Sequence, residues 1–239
     1  MQLFGRSKSP QPDFVLNSFS LNLTRFDAAI VDLDGTMVDT LGDFVAALGG
    51  MLQDLGLPAV DGATVVNMVG KGSEHLIRSV LAHVGAPADD TLYERAWARY
   101  QHHYLGINGQ HASVYAGVAE GLAALRARGL RLACLTNKPR DFARPLLAAK
   151  GLDVYFEQVF GGDDFERKKP DPLPLLKTCE ALGTAPARTL MIGDSSNDAR
   201  AARAAGCPVV LVSYGYNHGE PIHGVDADGF VDALTDLVR

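Results

Sequence analysis

Two carboxylates separated by one residue, Asp32 and Asp34, lie in the run Asp32-Leu33-Asp34-Gly35-Thr36, directly behind the apolar stretch Ala28-Ala29-Ile30-Val31. Four apolar residues in a row read as a short buried strand. Both acids then stand at the carboxyl end of a strand, where α/β sheets carry their chemistry. Like charges this close repel, so they need a cation, a shared proton or solvent. Mg²⁺ would satisfy them, because it takes hard oxygen ligands and tolerates few carboxylates. The same five residues also read as an Asp-Gly turn with solvated acids.

Three further polar groups follow apolar segments in the same way. Thr136-Asn137-Lys138 comes after Leu132-Ala133-Cys134-Leu135. Lys168-Lys169-Pro170-Asp171-Pro172 sets a cation before a proline-started helix, and Gly193-Asp194-Ser195-Ser196-Asn197-Asp198 follows the strand expected over 189–192. Each has a plainer reading: a polar turn or helix cap for Thr136, a solvated charge for the lysines, an acidic helix start for Asp194 to Asp198.

The elements that must position these groups are legible in the periodicity. Apolar spacing predicts helices over 41–55, 61–69, 73–81 (with Ser73 as N-cap) and 92–105, so the stretch from about 45 to 108 is helical throughout. From Gly117 onward helices over 118–128, 140–150, 172–182 and 197–205 alternate with strands over 130–135, 158–160, 189–192 and 208–212. That alternation predicts a doubly wound α/β fold, a parallel sheet with helices on both faces. The expected organisation is a tail over 1–24, a catalytic α/β core over 25–43 and 110–239, and a small helical cap inserted after the first strand over 44–109.

Composition narrows the function classes. The chain has 239 residues, 47% of them hydrophobic, and a formal net charge of -6. That charge argues against general nucleic-acid binding, which leaves a basic footprint. No apolar run reaches membrane-spanning length, so no membrane association is expected. Cys134, Cys179 and Cys207 are far apart and odd in number, which fits reduced core thiols and a cytoplasmic location. His102, His103 and His111 lack a metal-ligand spacing with nearby acids.

Taken in order, the carboxylate pair, hydroxyl, lysine and carboxylate cluster resemble the haloacid dehalogenase-like superfamily of phosphohydrolases, over about residues 27 to 238. The resemblance implies Asp32 as nucleophile, Asp34 as acid and base, and Thr136 and Lys169 on the phosphoryl oxygens. It implies Mg²⁺ held by Asp32, Asp34 (through its backbone carbonyl) and Asp194. Asp198, Asn137 and Ser195 would support these groups, and Gly35 and Thr36 would join the phosphate cradle. The dehalogenase branch lacks the acid found here at Asp34, so carbon–halogen cleavage is not expected.

The runs Asp34 to Thr40, Thr136 to Lys138, Gly161-Gly162-Asp163, Lys168 to Pro170 and Tyr214-Gly215-Tyr216-Asn217 are similar to those of the bacterial phosphoglycolate phosphatase branch. The implied substrate is a small phosphorylated acid, 2-phosphoglycolate, with Lys71, His75 and Arg78 of the cap as cations for its carboxylate. A sugar-phosphate phosphatase, a phosphomutase or a non-catalytic binding protein on the same fold are the alternatives. The expected assembly is a monomer or homodimer.

Overall fold

The computed structural model describes residues 22–238. Strand β1 (Ala28–Val31) is buried along its whole length, as a strand covered on both faces must be. Its side chains alternate: Ala29 and Val31 join one hydrophobic cluster, Ala28 and Ile30 another. β1 pairs in parallel with β4 (Arg131–Leu135) on one side and β6 (Thr189–Gly193) on the other. With β5 (Gln158–Phe160), β7 (Val209–Val212) and β8 (Gly229–Val231) the sheet runs β5-β4-β1-β6-β7-β8, parallel throughout. The chain steps outward from β1 through β4 to β5, then returns to β6. The strand order therefore reverses beside β1, and that is where the loops after β1, β4 and β6 leave a crevice.

Helices α5 (Val118–Ala127) and α6 (Arg140–Ala149) cover one face, and α7 (Leu173–Leu182) and α8 (Ser196–Ala205) the other. The strand over 229–231 is absent from the sequence expectation; three residues between polar turns are too few for a periodic signal.

Between β1 and β4 the chain departs through β2 (Val38–Asp39) and returns through β3 (Ser113–Val114), which pair antiparallel. The excursion holds α1 (Leu41–Leu55), α2 (Gly62–Val65), α3 (Ser73–His83) and α4 (Asp90–Ile107). These helices bury a cluster of their own, including Leu48, Met51, Ile77, Val80, Tyr100 and Tyr104. Phe142 and Tyr216 from the α/β layer are its contacts with the sheet side. The junction is pinned by Asp43, fully buried, whose carboxylate accepts from the backbone N–H of Gly109 at 2.7 Å and of His111 at 2.8 Å.

Two local expectations need correction. Gly72, not Ser73, occupies the cap position of α3; it has φ +91°, and Ser73 is the first helical residue, buried. Of the tail expected over 1–24, residues 1–21 lie outside the described residues. Leu23 belongs to the core: it sits in a 3₁₀ turn, Leu23–Arg25, and packs with Phe26 in the cluster on the α5 and α6 face.

Candidate active site

The crevice collects the ends of three strands. Asp32 to Asp34 follow β1, Thr136 to Lys138 follow β4, and Asp194 to Asp198 follow β6. Asp32, Asp194 and Asp198 bring carboxylate oxygens within 4.8 Å of one another, the one such grouping of possible metal donors among the described residues. Lys169 enters from the loop before α7, with its Nζ 2.9 Å from Asp32 Oδ1 and 2.7 Å from Asp198 Oδ1. Asn137 fixes that loop through paired bonds: its Oδ1 accepts from the Lys169 N–H at 3.0 Å, and its Nδ2 donates to the Lys169 carbonyl at 2.8 Å.

Asp198 fulfils both readings of its motif. Its Oδ2 accepts from Ser195 N–H and hydroxyl, capping α8, while Oδ1 takes Lys169. Asp194 is held by the Tyr216 N–H at 2.7 Å and the Thr36 hydroxyl at 3.2 Å. Gly35 and Gly215 pack against it so closely that a Cβ on either would stand 2.1 Å from an Asp194 side-chain atom, and Gly35 has φ +83°. Only glycine serves at Gly35.

Charge is unbalanced here. Three buried carboxylates share one ammonium. Burial pushes the Asp32 carboxyl up to about 7, against the pull of Lys169 and with a push from Asp198. Burial also raises Asp194 well above the ordinary range, helped by Asp198 and Asp32. For Lys169 burial acts downward, but Asp198 and Asp32 outweigh it and hold the ammonium above its usual range. Asp32 Oδ1 is buried and, although close to Lys169, makes no well-formed hydrogen bond. An all-oxygen set with excess negative charge and an under-bonded carboxylate oxygen fits a divalent hard cation.

The Asp34 carboxylate turns away from this grouping. Its Oδ1 accepts from the Thr40 hydroxyl at 2.8 Å and from Lys138 Nζ at 3.0 Å. Asp32, Asp34, Thr136, Asn137 and Lys138 line a cavity roofed by Phe44, Leu76 and the loop around Gly70 and Gly72. The space free to the centre of a water molecule is about 20 Å³, enough for about one water. Asn137 and Asn197 both donate to the Gly70 carbonyl, at 3.1 and 3.3 Å, so the roof is fastened to the sheet side.

The structure brings the expected residues together unevenly. Asp32, Asp34, Thr136, Asn137, Lys169, Asp194 and Asp198 converge. Thr36 is fully buried behind Asp194, and Gly35 and Ser195 support backbone and cap rather than the cavity wall. Lys71, His75 and Arg78 do not line the cavity. Arg78 is exposed, bonded to Glu74 and Asp90 and laid over the Tyr93 ring. His75 faces Ser79 on the solvent side of α3. The buried cation at the cavity is instead Lys138, which sequence reasoning passed over. It stands three residues beyond the end of β4, and nothing within its own loop marks it as buried.

A sequence model of the family described as haloacid dehalogenase-like hydrolase matches residues 29–212. A phosphoglycolate phosphatase from Thiobacillus denitrificans is 46% identical over 187 residues, covering 78% of this chain and 82% of that protein. A plasmid-borne phosphoglycolate phosphatase from Cupriavidus necator is 46% identical over 212 residues, covering 88% and 90%. Among solved structures, one from Haemophilus somnus described as a predicted phosphoglycolate phosphatase superposes with a TM-score of 0.86 at 32% identity, covering 90% of this chain and 97% of that one.

Proposed function

The chain belongs to the haloacid dehalogenase-like hydrolases and is a phosphoric monoester hydrolase, and from that footing we propose that it cleaves 2-phosphoglycolate with Mg²⁺ through an aspartyl-phosphate on Asp32. The observation that carries this reading is the buried grouping of Asp32, Asp194 and Asp198 with Lys169 against it, where Asp32 also lines the cavity. The names of the relatives support the substrate.

Asp32, Asp194 and the Asp34 carbonyl would hold Mg²⁺, which would supply positive charge to offset the repulsion between a carboxylate and a phosphate dianion. Asp32 attacks phosphorus, forming an acyl phosphate and breaking the bond to the leaving oxygen. Asp34 delivers a proton to that oxygen, and the carboxylate it becomes is paired with Lys138. Water then attacks the same phosphorus while Asp34 takes its proton, and Asp32 departs as a free carboxylate. Lys169, oriented by Asp198, and Thr136 bear on the phosphoryl oxygens, where negative charge builds. The helices of the excursion act as a cap over 44–109. Because the cavity as it stands holds about one water, the loop around Gly70 must lift from Asn137 and Asn197 to admit substrate.

Phosphate release from a panel of 2-phosphoglycolate, hexose phosphates and nucleoside monophosphates tests this. The expected kcat/KM for 2-phosphoglycolate is at least about tenfold above the rest, lost in chelator and restored by Mg²⁺. A flat profile or a preference for sugars contradicts the substrate; activity that survives chelation contradicts the metal.

A further inference from the structure

Among the described residues, Lys138 is the only cationic one that lines the cavity. Its side chain is 1% exposed. Nζ donates to both Asp34 oxygens, at 3.0 and 3.3 Å, and lies 4.4 Å from the centre of the Phe44 ring and 4.6 Å from that of Tyr104. Asp34 is its sole side-chain hydrogen-bond partner among the described residues, and an ammonium has three donors. Two aromatic faces hold the charge in place without occupying those donors in full. The ammonium is cut off from water and only partly satisfied by Asp34, so a further anion beside it is favourable.

The position of that charge relative to the chemistry is specific. In the mechanism proposed above Asp34 protonates the leaving oxygen, and Lys138 Nζ is one hydrogen-bond length from Asp34. In a leaving group of the form O–CH₂–COO⁻ the carboxylate carbon is two bonds from the leaving oxygen. A substituent two bonds beyond the atom that Asp34 touches therefore falls beside Lys138, with Leu76 and Phe44 as apolar walls. Lys71, His75 and Arg78 offer nothing comparable, since none of them lines the cavity.

We propose that Lys138 determines specificity: its ammonium binds a carboxylate carried on the carbon next to the leaving oxygen, selecting short phosphorylated acids over phosphates of neutral alcohols. This rests on the phosphatase reading above. Because Lys138 also holds Asp34, its loss weakens hydrolysis of every substrate, and the informative quantity is a ratio.

The test is kcat/KM for 2-phosphoglycolate and for ethyl phosphate, which lacks the carboxylate, in the wild type and in Lys138→Gln. The wild type is expected to prefer 2-phosphoglycolate. Lys138→Gln is expected to lower that value by about 100-fold and the value for ethyl phosphate by less than about tenfold, so the preference collapses. Should Lys138→Gln fail to fold, Lys138→Met, which keeps the apolar stem between the rings, repeats the comparison. Equal losses on both substrates overturn the proposal and leave Lys138 as a holder of Asp34. A wild type without preference overturns the 2-phosphoglycolate reading as well, so the two failures are told apart.

Discussion

Asp32→Asn is expected to lower phosphate release by at least about 10³-fold while leaving the fold intact, because it removes the attacking oxygen and little volume. Stability should move the other way in chelator. The Asp32 carboxyl is held up to about 7 chiefly by burial, above its ordinary value of 3.8. A folded-state pKa above the unfolded one means that the native protein holds the proton more tightly. The contribution to stability is then full below about pH 4 and is lost as pH rises through about 7. Asparagine carries no such loss. The melting temperature of Asp32→Asn without metal should match the wild type near pH 4 and exceed it at pH 8. A variant that keeps more than about a tenth of wild-type activity would contradict the nucleophile role.

Lys169→Met acts on the same cluster with the opposite sign for stability. Lys169 is 4% exposed, and its ammonium is the one positive charge against Asp32 and Asp198. Removing one partner of a buried ion pair costs about 3–5 kcal/mol, because the remaining charge stays buried and uncompensated. For a chain of this size that is a fall in melting temperature of about 10 °C, measured without metal. Activity should fall by about 10²–10³-fold, the scale for losing one preorganised positive group at a phosphoryl oxygen. Mg²⁺ should narrow the stability gap, since it supplies charge to the same carboxylates. A Lys169→Met protein as stable as the wild type in chelator would contradict the charge balance described for the cluster.

How much of this was legible beforehand follows from locality. The residues that converge, Asp32, Asp34, Thr136, Asn137, Lys169, Asp194 and Asp198, lie in the segments that directly follow β1, β4, β5 and β6, with Asp198 in the first turn of α8. A parallel sheet brings such ends together whatever the loops are. The helices were equally readable from their 3.6-residue spacing. Lys138 was not readable, because its place depends on Phe44 from α1 and Tyr104 from α4 folding over a lysine in the loop after β4. No spacing within the loop encodes that. The cations of α3 were misjudged for a related reason. Glu74 and Arg78 are four residues apart and pair on the solvent side, so the buried stripe of α3 is Leu76, Ile77, Val80 and Leu81, and its cations face outward. Asp198 was readable as a cap or as a partner of lysine, and its two oxygens let it be both.

The most direct test of the central claim is the stereochemical course at phosphorus, followed with substrate whose transferred phosphoryl group is made chiral by isotopic and thio substitution. Each in-line displacement inverts phosphorus, so attack by Asp32 followed by attack by water gives net retention. Net inversion would mean that water displaces the leaving group directly, and Asp32 would then be no more than a metal ligand or a base.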